Sequence, residues 1–359
     1  MKQTPFVFRI VTVLFLFAGL NPGTTANEAP KISAGIIKDF PERLKYVGVA
    51  VAEDDYFVWG SSPVIGPEGD VHLFVARWPS QTRGGGWRTD CEIARYVADR
   101  PEGAFFFVEV VVQDEKGQLS PHNPTIRKLS GKYVLLYIAN DGVERHPGNQ
   151  KIYMRIADSL KGPWRKVGRD GLVLDVPQDR DNWCYRSRVG VNNPSIIRHL
   201  DGRYFLYYKA LPKDGGARRF GVATSDRLEG PYVHYPLSVT DNYSQHKTIE
   251  DGYAFASNNR FYILSRNRKQ CVMPGYDGVL WESEDGFSFK AHPGYRPAMH
   301  YFPKDVKAKA RAIWRRGELE RPQLLIVDGR PAYLYAAAGL SISENNNSTS
   351  FVYRVMEGD

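Results

Sequence analysis

The sequence predicts an all-β fold, a five-bladed β-propeller of four-stranded antiparallel blades. Three observations predict it: one phrase recurs five times, a second phrase follows it in four of the five units, and helical periodicity is scarce. The first phrase is a polar pair, usually a Pro, a hydrophobic run, a Gly or Asn turn and an aromatic strand. Its heads are Ser61-Ser62-Pro63, His122-Asn123-Pro124, Asn192-Asn193-Pro194, Glu250-Asp251-Gly252 and Glu320-Arg321-Pro322. The heads lie about 60 to 70 residues apart, longer than an ordinary blade repeat and consistent with long loops.

Each unit then supplies its strands in order. In the third unit the head runs into Ser195-Ile196, turns at Asp201-Gly202-Arg203 and continues as Tyr204-Phe205-Leu206-Tyr207-Tyr208. The second phrase follows, as Phe220-Gly221-Val222-Ala223-Thr224-Ser225-Asp226 and then Glu229-Gly230-Pro231-Tyr232, which reads as a third strand, a polar turn and a fourth outer strand. The other units match it, at Glu92 to Asp99, Ile152 to Asp158 and Leu280 to Gly286. The fifth unit is short, ending at Phe351 to Val355, so the stretch around Tyr46 to Ala50 is expected to supply its last strand and close the ring. The best helical candidate is Asp305 to Glu318.

Composition is that of a globular protein, with 42% hydrophobic and 25% charged residues, and it is rich in Tyr. Tyr and Trp suit half-buried strands and sugar-binding surfaces alike. Lys2 and Arg9, an apolar run from Ile10 to Leu20, and Thr24-Thr25-Ala26 read as a signal peptide over 1–26. That run is too short to span a bilayer comfortably, so residues 27–359 are expected as a single secreted or periplasmic propeller. Cys91, Cys184 and Cys271 lack metal or redox spacing, and one disulfide among them is allowed in an oxidising compartment. The net charge of +8 is scattered apart from a basic run between Lys304 and Arg316, and no nucleic-acid-binding motif accompanies it.

In a propeller the innermost strands converge on the axis, so the five heads are expected at one funnel mouth. Glu250-Asp251 and Glu320-Arg321 bring carboxylates there, the residue type that acid and base work at a glycosidic bond requires. The adjacent pair Glu250 and Asp251 repels itself, which pushes pKa values apart. Ser61, Ser62 and Asn192 also suit turns held by side-chain-to-backbone hydrogen bonds, and Glu320 with Arg321 also suits a structural ion pair. Trp59, Trp78 and Trp183 are stacking candidates or inter-blade core, while Arg77, Arg188 and Lys209 are candidate donors to a sugar, and the Arg residues would suit an anionic one.

These phrases, a polar or acidic residue before Pro, then Asp-Gly-Arg-Tyr, then Ala-x-Ser-Asp and Gly-Pro-aromatic, resemble the five-bladed glycoside hydrolases around family 43, with families 32, 62 and 117 as relatives. The resemblance runs from about residue 55 to the C-terminus. It implies Glu250 as general acid. It also implies an Asp before Pro in blades one and three, where this chain has Ser62 and Asn193. The missing base is expected from Glu320, with Asp251 modulating Glu250, or from Glu92 after the Gly84-Gly85-Gly86 run; alternatively His122 acts as acid, as a His is thought to do in family 117. The implied function is hydrolysis, with inversion, of a glycosidic bond in a plant or algal polysaccharide fragment. Asn123 and Arg321 would help to hold the carbohydrate, which the Arg residues allow to be anionic. No cofactor is expected beyond an allowed structural Ca²⁺ at the axis. A non-catalytic sugar-binding propeller and a phosphate-dependent phosphorylase are the rival readings.

Overall fold

The computed structural model describes residues 39–140, 150–240, 248–307, 318–338 and 348–357. Five antiparallel sheets carry the fold, one per repeat unit, as the phrase pattern predicts. Blade one is Tyr56–Ile65, Val71–Pro79, Glu92–Ala98 and Phe106–Val112. Blade two is Leu119–Leu129, Lys132–Asn140 and Gln150–Ala157, with two short strands, Arg165–Lys166 and Leu172–Leu174, both on the third. Blade three runs Asn192–Arg198, Tyr204–Ala210, Arg219–Ser225 and Val233–His234; blade four runs Ile249–Ser257, Arg260–Asn267, Gly278–Ser283 and Lys290–Tyr295. Blade five takes Leu319–Val327, Arg330–Ala338 and Thr349–Val355 from one end of the chain and Leu44–Val51 from the other. Leu44 faces Val355 across that last pairing, so the expected closing strand is present.

The core lies between blades rather than within them. Five clusters of buried side chains fill five seams; one joins Val64, Phe74 and Ile93 of blade one to Ile126, Leu135 and Tyr137 of blade two. The last seam joins Val58, Leu73 and Tyr96 of blade one to Leu325, Tyr335 and Val352 of blade five. An aromatic strand presents a large apolar face to each neighbour, which is why Tyr and Phe recur at these positions.

Near the axis every innermost strand carries a bulge, with one extra residue against its hairpin partner. Trp59 faces Ala76 and Ser62 faces Phe74; Asn192 faces Lys209 and Ser195 faces Tyr207; Glu320 faces Ala337 and Gln323 faces Tyr335. Blades two and four repeat this with His122 and Thr125, and with Glu250 and Tyr253. The residue after the first of each set is left-handed in all five blades: Gly60 (φ 62°), Asn123 (52°), Asn193 (54°), Asp251 (60°) and Arg321 (52°).

This register corrects one sequence reading. The blade-one head is Trp59-Gly60, not Ser61-Ser62. Matching the units by their Pro misplaces blade one by two residues, because Pro63 lies two positions further along its strand than its apparent counterparts. Ser62 instead belongs to a deeper ring that stitches the blades together. Its hydroxyl donates to Gln323 Oε1 at 3.0 Å and accepts from Ile126 N at 3.0 Å. Thr125 Oγ1 donates to Pro194 O, Ala254 N donates to Ser195 Oγ, and Tyr253 OH donates to Leu324 O, so all five seams are bridged at one level.

Gly60 is the position where the blade-one bulge most needs glycine. A Cβ there would lie 3.2 Å from Arg321 Nε and would sit on a left-handed backbone. Gly60→Ala is expected to destabilise the chain by about 1 to 3 kcal/mol, read from its urea midpoint, with Gly48→Ala, where a Cβ meets nothing within 4 Å, as control.

The signal-peptide segment and most of the basic run and the candidate helix fall outside the described residues. Among the described residues no helix is long and apolar enough to cross a membrane. Cys91, Cys184 and Cys271 are three separate thiols, which corrects the disulfide that their number allowed.

Candidate active site

The bulges turn five side chains into one funnel of about 470 Å³. Trp59, His122, Asn192, Glu250 and Glu320, the first residues of the five bulges, all line it. The left-handed residues lie one step deeper and bond to one another. Asn123 Nδ2 donates to Asn193 Oδ1 and Asn193 Nδ2 donates to Asp251 Oδ1, each at 2.8 Å. Asp251 Oδ2 accepts from the Arg321 backbone N–H at 3.2 Å. Arg321 is wholly buried, with its side chain laid over Gly60 and Nη2 donating to Pro124 O.

The two halves of the funnel differ in chemistry. Phe57, Trp59, Trp78 and Trp87 form an aromatic wall from blade one and the loop between its second and third strands, with Phe57 and Trp78 stacked at 5.5 Å. Lys209, Arg218, Glu250, Asp251 and Glu320, from blades three to five, form a charged wall opposite in kind.

Arg266 organises that charged wall. It faces Glu250 in the strand register, and its Nη1 lies 3.2 Å from Glu250 Oε2 and 2.7 Å from Glu320 Oε2. Those two legs hold the two carboxylate oxygens within about 5.9 Å of each other (3.2 plus 2.7). Nη2 of the same guanidinium pairs with Glu318. Glu250 Oε1 meets Arg218 Nη1 at 3.2 Å, Lys209 Nζ at 3.7 Å and Arg268 Nη1 at 3.9 Å.

The consequence is a split between two carboxyl groups. Burial works to raise Glu250, but Lys209, Arg218, Arg266 and Arg268 together outweigh it and hold its pKa below the ordinary value. Glu320 goes the other way and is pushed up to about 8. Burial is the main cause, Arg266 opposes it, and the charges of Asp251, Glu250 and Glu318 add to it. Near neutral pH Glu320 carries a proton and Glu250 does not.

His122 Nδ1–H donates to Ser120 O at 2.6 Å, which leaves Nε2 to accept from the Gln150 amide at 3.0 Å. Burial pushes its pKa down to about 4, so it holds no proton to give at neutral pH. Asn192 Nδ2 donates to Gln150 Oε1, while Asn192 Oδ1, buried at the funnel wall, has no partner among the described residues.

Several expected residues lie elsewhere. Glu92 and Arg77 bond to each other at 2.8 Å, and Arg77 also reaches Glu53; neither lines the funnel. The reason is register: they sit opposite each other on adjacent strands and satisfy one another. Arg188 is exposed beside the funnel residue Val189, and Trp183 packs on Tyr208 in the core between blades two and three. Sequence reasoning missed Arg266, Arg218, Gln150 and Trp87. Arg266 had a usable signal, since it occupies the hairpin position facing Glu250, as Lys209 does facing Asn192.

Comparison with known proteins falls into line with this geometry. A family 117 glycoside hydrolase of the marine bacterium Zobellia galactanivorans superposes with a TM-score of 0.63, at 17% identity over 87% of this chain and 89% of that one. The chain has the fold of the five-bladed glycoside hydrolases. A family 43 β-xylosidase/α-arabinofuranosidase from a compost metagenome superposes at a TM-score of 0.57, with 11% identity over 88% of this chain and 96% of that one. In sequence, the chain is similar to an extracellular endo-α-(1→5)-L-arabinanase of Thermotoga petrophila, 35% identical over 28% of this chain and 21% of that protein. It spans less than half the length of the curated relatives it matches. No family model matches. Ser62, where the resemblance expects an acidic base, lies in the deeper ring, and the blade-one bulge position is Gly60, covered by Arg321.

Proposed function

We propose that the chain is an exported glycoside hydrolase cleaving a glycosidic bond in a plant or algal polysaccharide or oligosaccharide. The observation that carries this reading is the Glu320–Arg266–Glu250 arrangement at the funnel, two carboxyl groups whose surroundings push their pKa values in opposite directions. Glu320, protonated, gives its proton to the leaving oxygen. Glu250, ionised, takes a proton from a water that attacks the anomeric carbon as the old C–O bond breaks, which inverts the configuration. The two Arg266-bound oxygens lie no more than about 5.9 Å apart, short of the roughly 6.5 to 9.5 Å that holds such a water. This course therefore requires the pair to open around substrate, and direct attack by Glu250 with retention is its competitor. These roles exchange the two that sequence alone suggests, where Glu250 is the acid. The sugar ring stacks on Trp59, Trp78 or Trp87. The extracellular relative supports export.

A Ca²⁺ at the axis does not fit this floor, because the buried Arg321 guanidinium lies there, its Nη1 4.0 Å from Asp251 Oδ1 and its Nε and Nη1 without a hydrogen-bond acceptor among the described residues. A cation would meet a cation. The covered Gly60 favours one second reading, a sugar-binding propeller that has lost its base.

Product release from neutral and acidic glycans, followed by proton NMR of the first-formed anomer, tests the reading. We expect cleavage with the inverted anomer appearing first. Retained product would make Glu250 the direct nucleophile, and binding without cleavage would leave the second reading.

A further inference from the structure

The cations around Glu250 outnumber the charge they face. Its Oε1 alone meets Lys209, Arg218 and Arg268, within 3.2 to 3.9 Å. Its Oε2 is taken up with Arg266, which Glu318 balances in turn, while Glu320, protonated near neutral pH, adds no charge there. Among the described residues, no second carboxylate lies within ion-pair distance of Lys209, Arg218 or Arg268. One carboxylate in direct contact therefore stands against three positive groups, with Asp251 adding a more distant negative charge near Lys209. Lys209 and Arg218 both line the funnel, Lys209 almost fully buried and Arg218 partly exposed to it. Holding an ammonium and a guanidinium out of water at a cavity wall is costly unless an anion completes them. The same funnel carries Phe57, Trp59, Trp78 and Trp87, apolar faces on which a sugar ring stacks, with Arg88 beside them.

We propose that Lys209 and Arg218 form an oxyanion subsite, which recognises a carboxylate or sulfate carried by the sugar. This rests on the carbohydrate reading of the funnel and names the chemical class of its ligand. The residues differ from those that sequence suggested for an anionic sugar, since Arg77 and Arg188 do not line the funnel. Arg218 supplies a planar two-pronged donor that can meet two oxygens at once, and Lys209 supplies a point charge behind it. Glu250 keeps both cations in place while the subsite is empty.

The test is calorimetric binding of matched pairs: oligogalacturonide against its methyl ester, and a sulfated galactan oligosaccharide against its desulfated twin. Wild type, Arg218→Gln and Arg218→Lys are compared, with thermal melts to confirm folding. We expect at least one acidic member to bind roughly 10- to 100-fold more tightly than its neutral twin, the scale of one charge-assisted contact. Arg218→Gln should erase that preference and Arg218→Lys should keep part of it. Equal binding of each pair, no binding of any acidic probe, or a preference that survives Arg218→Gln overturns the proposal.

Inorganic phosphate is the second arm. It should compete with the acidic oligosaccharide without speeding turnover. If phosphate instead accelerates cleavage of a neutral oligosaccharide and a sugar 1-phosphate appears, the oxyanion is a co-substrate and the substituent assignment falls. The hydrolase reading is separately exposed. Selective acidic binding with no cleavage of any glycan sinks hydrolysis and leaves the subsite standing, whereas cleavage of neutral glycans without acidic preference does the reverse.

Discussion

Glu320→Gln is expected to lower kcat on natural glycans by about 10² to 10⁴, the usual contribution of a positioned general acid. The loss should shrink for an aryl glycoside whose leaving group needs no proton, which separates acid catalysis from a general loss of the site. In the parent, kcat/KM should fall as pH rises through about 8, where Glu320 gives up its proton, and that limb should vanish in the variant. An unchanged alkaline limb in Glu320→Gln would remove Glu320 from the role. Stability gives an independent reading. Glu320 ionises at an ordinary 4.5 when unfolded but at about 8 when folded. The folded state therefore holds its proton more tightly, and it loses stability relative to the unfolded state as pH rises from about 4.5 to about 8. Below that window the carboxyl is protonated in both states and nothing is lost. Glu320→Gln should accordingly melt above the parent at pH 9, with the difference closing toward pH 4.

Arg266→Met carries the second large effect. Removing this guanidinium leaves Glu250, Glu318 and Glu320 facing one another with their shared partner gone. Breaking a buried pair in this way costs about 3 to 5 kcal/mol, mostly from the charges left behind. Denaturant unfolding at pH 7 should show that loss, and adding Glu318→Gln to Arg266→Met should recover part of it. If Arg266→Met leaves both stability and the pH profile untouched, the guanidinium does not organise the wall. Acidification should soften the defect, because protonating the carboxylates left beside the already protonated Glu320 removes their repulsion.

The blades were legible because their signal is redundant. Tyr204 to Tyr208 and Tyr133 to Tyr137 repeat one pattern of inter-blade packing, and a single ambiguous unit is fixed by its neighbours. The funnel was legible in four of its five heads. Blade one failed at Gly60, since a bulge residue without a side chain offers nothing to match, and Pro63 drew the alignment two residues along. Glu92 misled for a different reason. A carboxylate at a strand start looks available in sequence, but its cross-strand neighbour Arg77 claims it. The opposed pKa shifts of Glu250 and Glu320, on which the proposed roles rest, were beyond sequence altogether. They depend on Arg218, Lys209 and Arg268 arriving from other positions in space at one oxygen, and no spacing along the chain encodes that.

The last blade joins Leu44 to Val355, so the earliest strand of the ring waits for the latest. During synthesis from the N-terminus, Leu44–Val51 has no partner until Thr349–Val355 has been made. Its open edge and the apolar seam beside blade one then stay uncovered for nearly the whole time of translation. Such a topology has high contact order, folds slowly and offers a long interval for mispairing between chains. Truncation before Thr349 should therefore act less as trimming than as leaving the ring permanently ajar. The soluble yield of such a truncated chain would depend on holding chaperones until something else covers the edge.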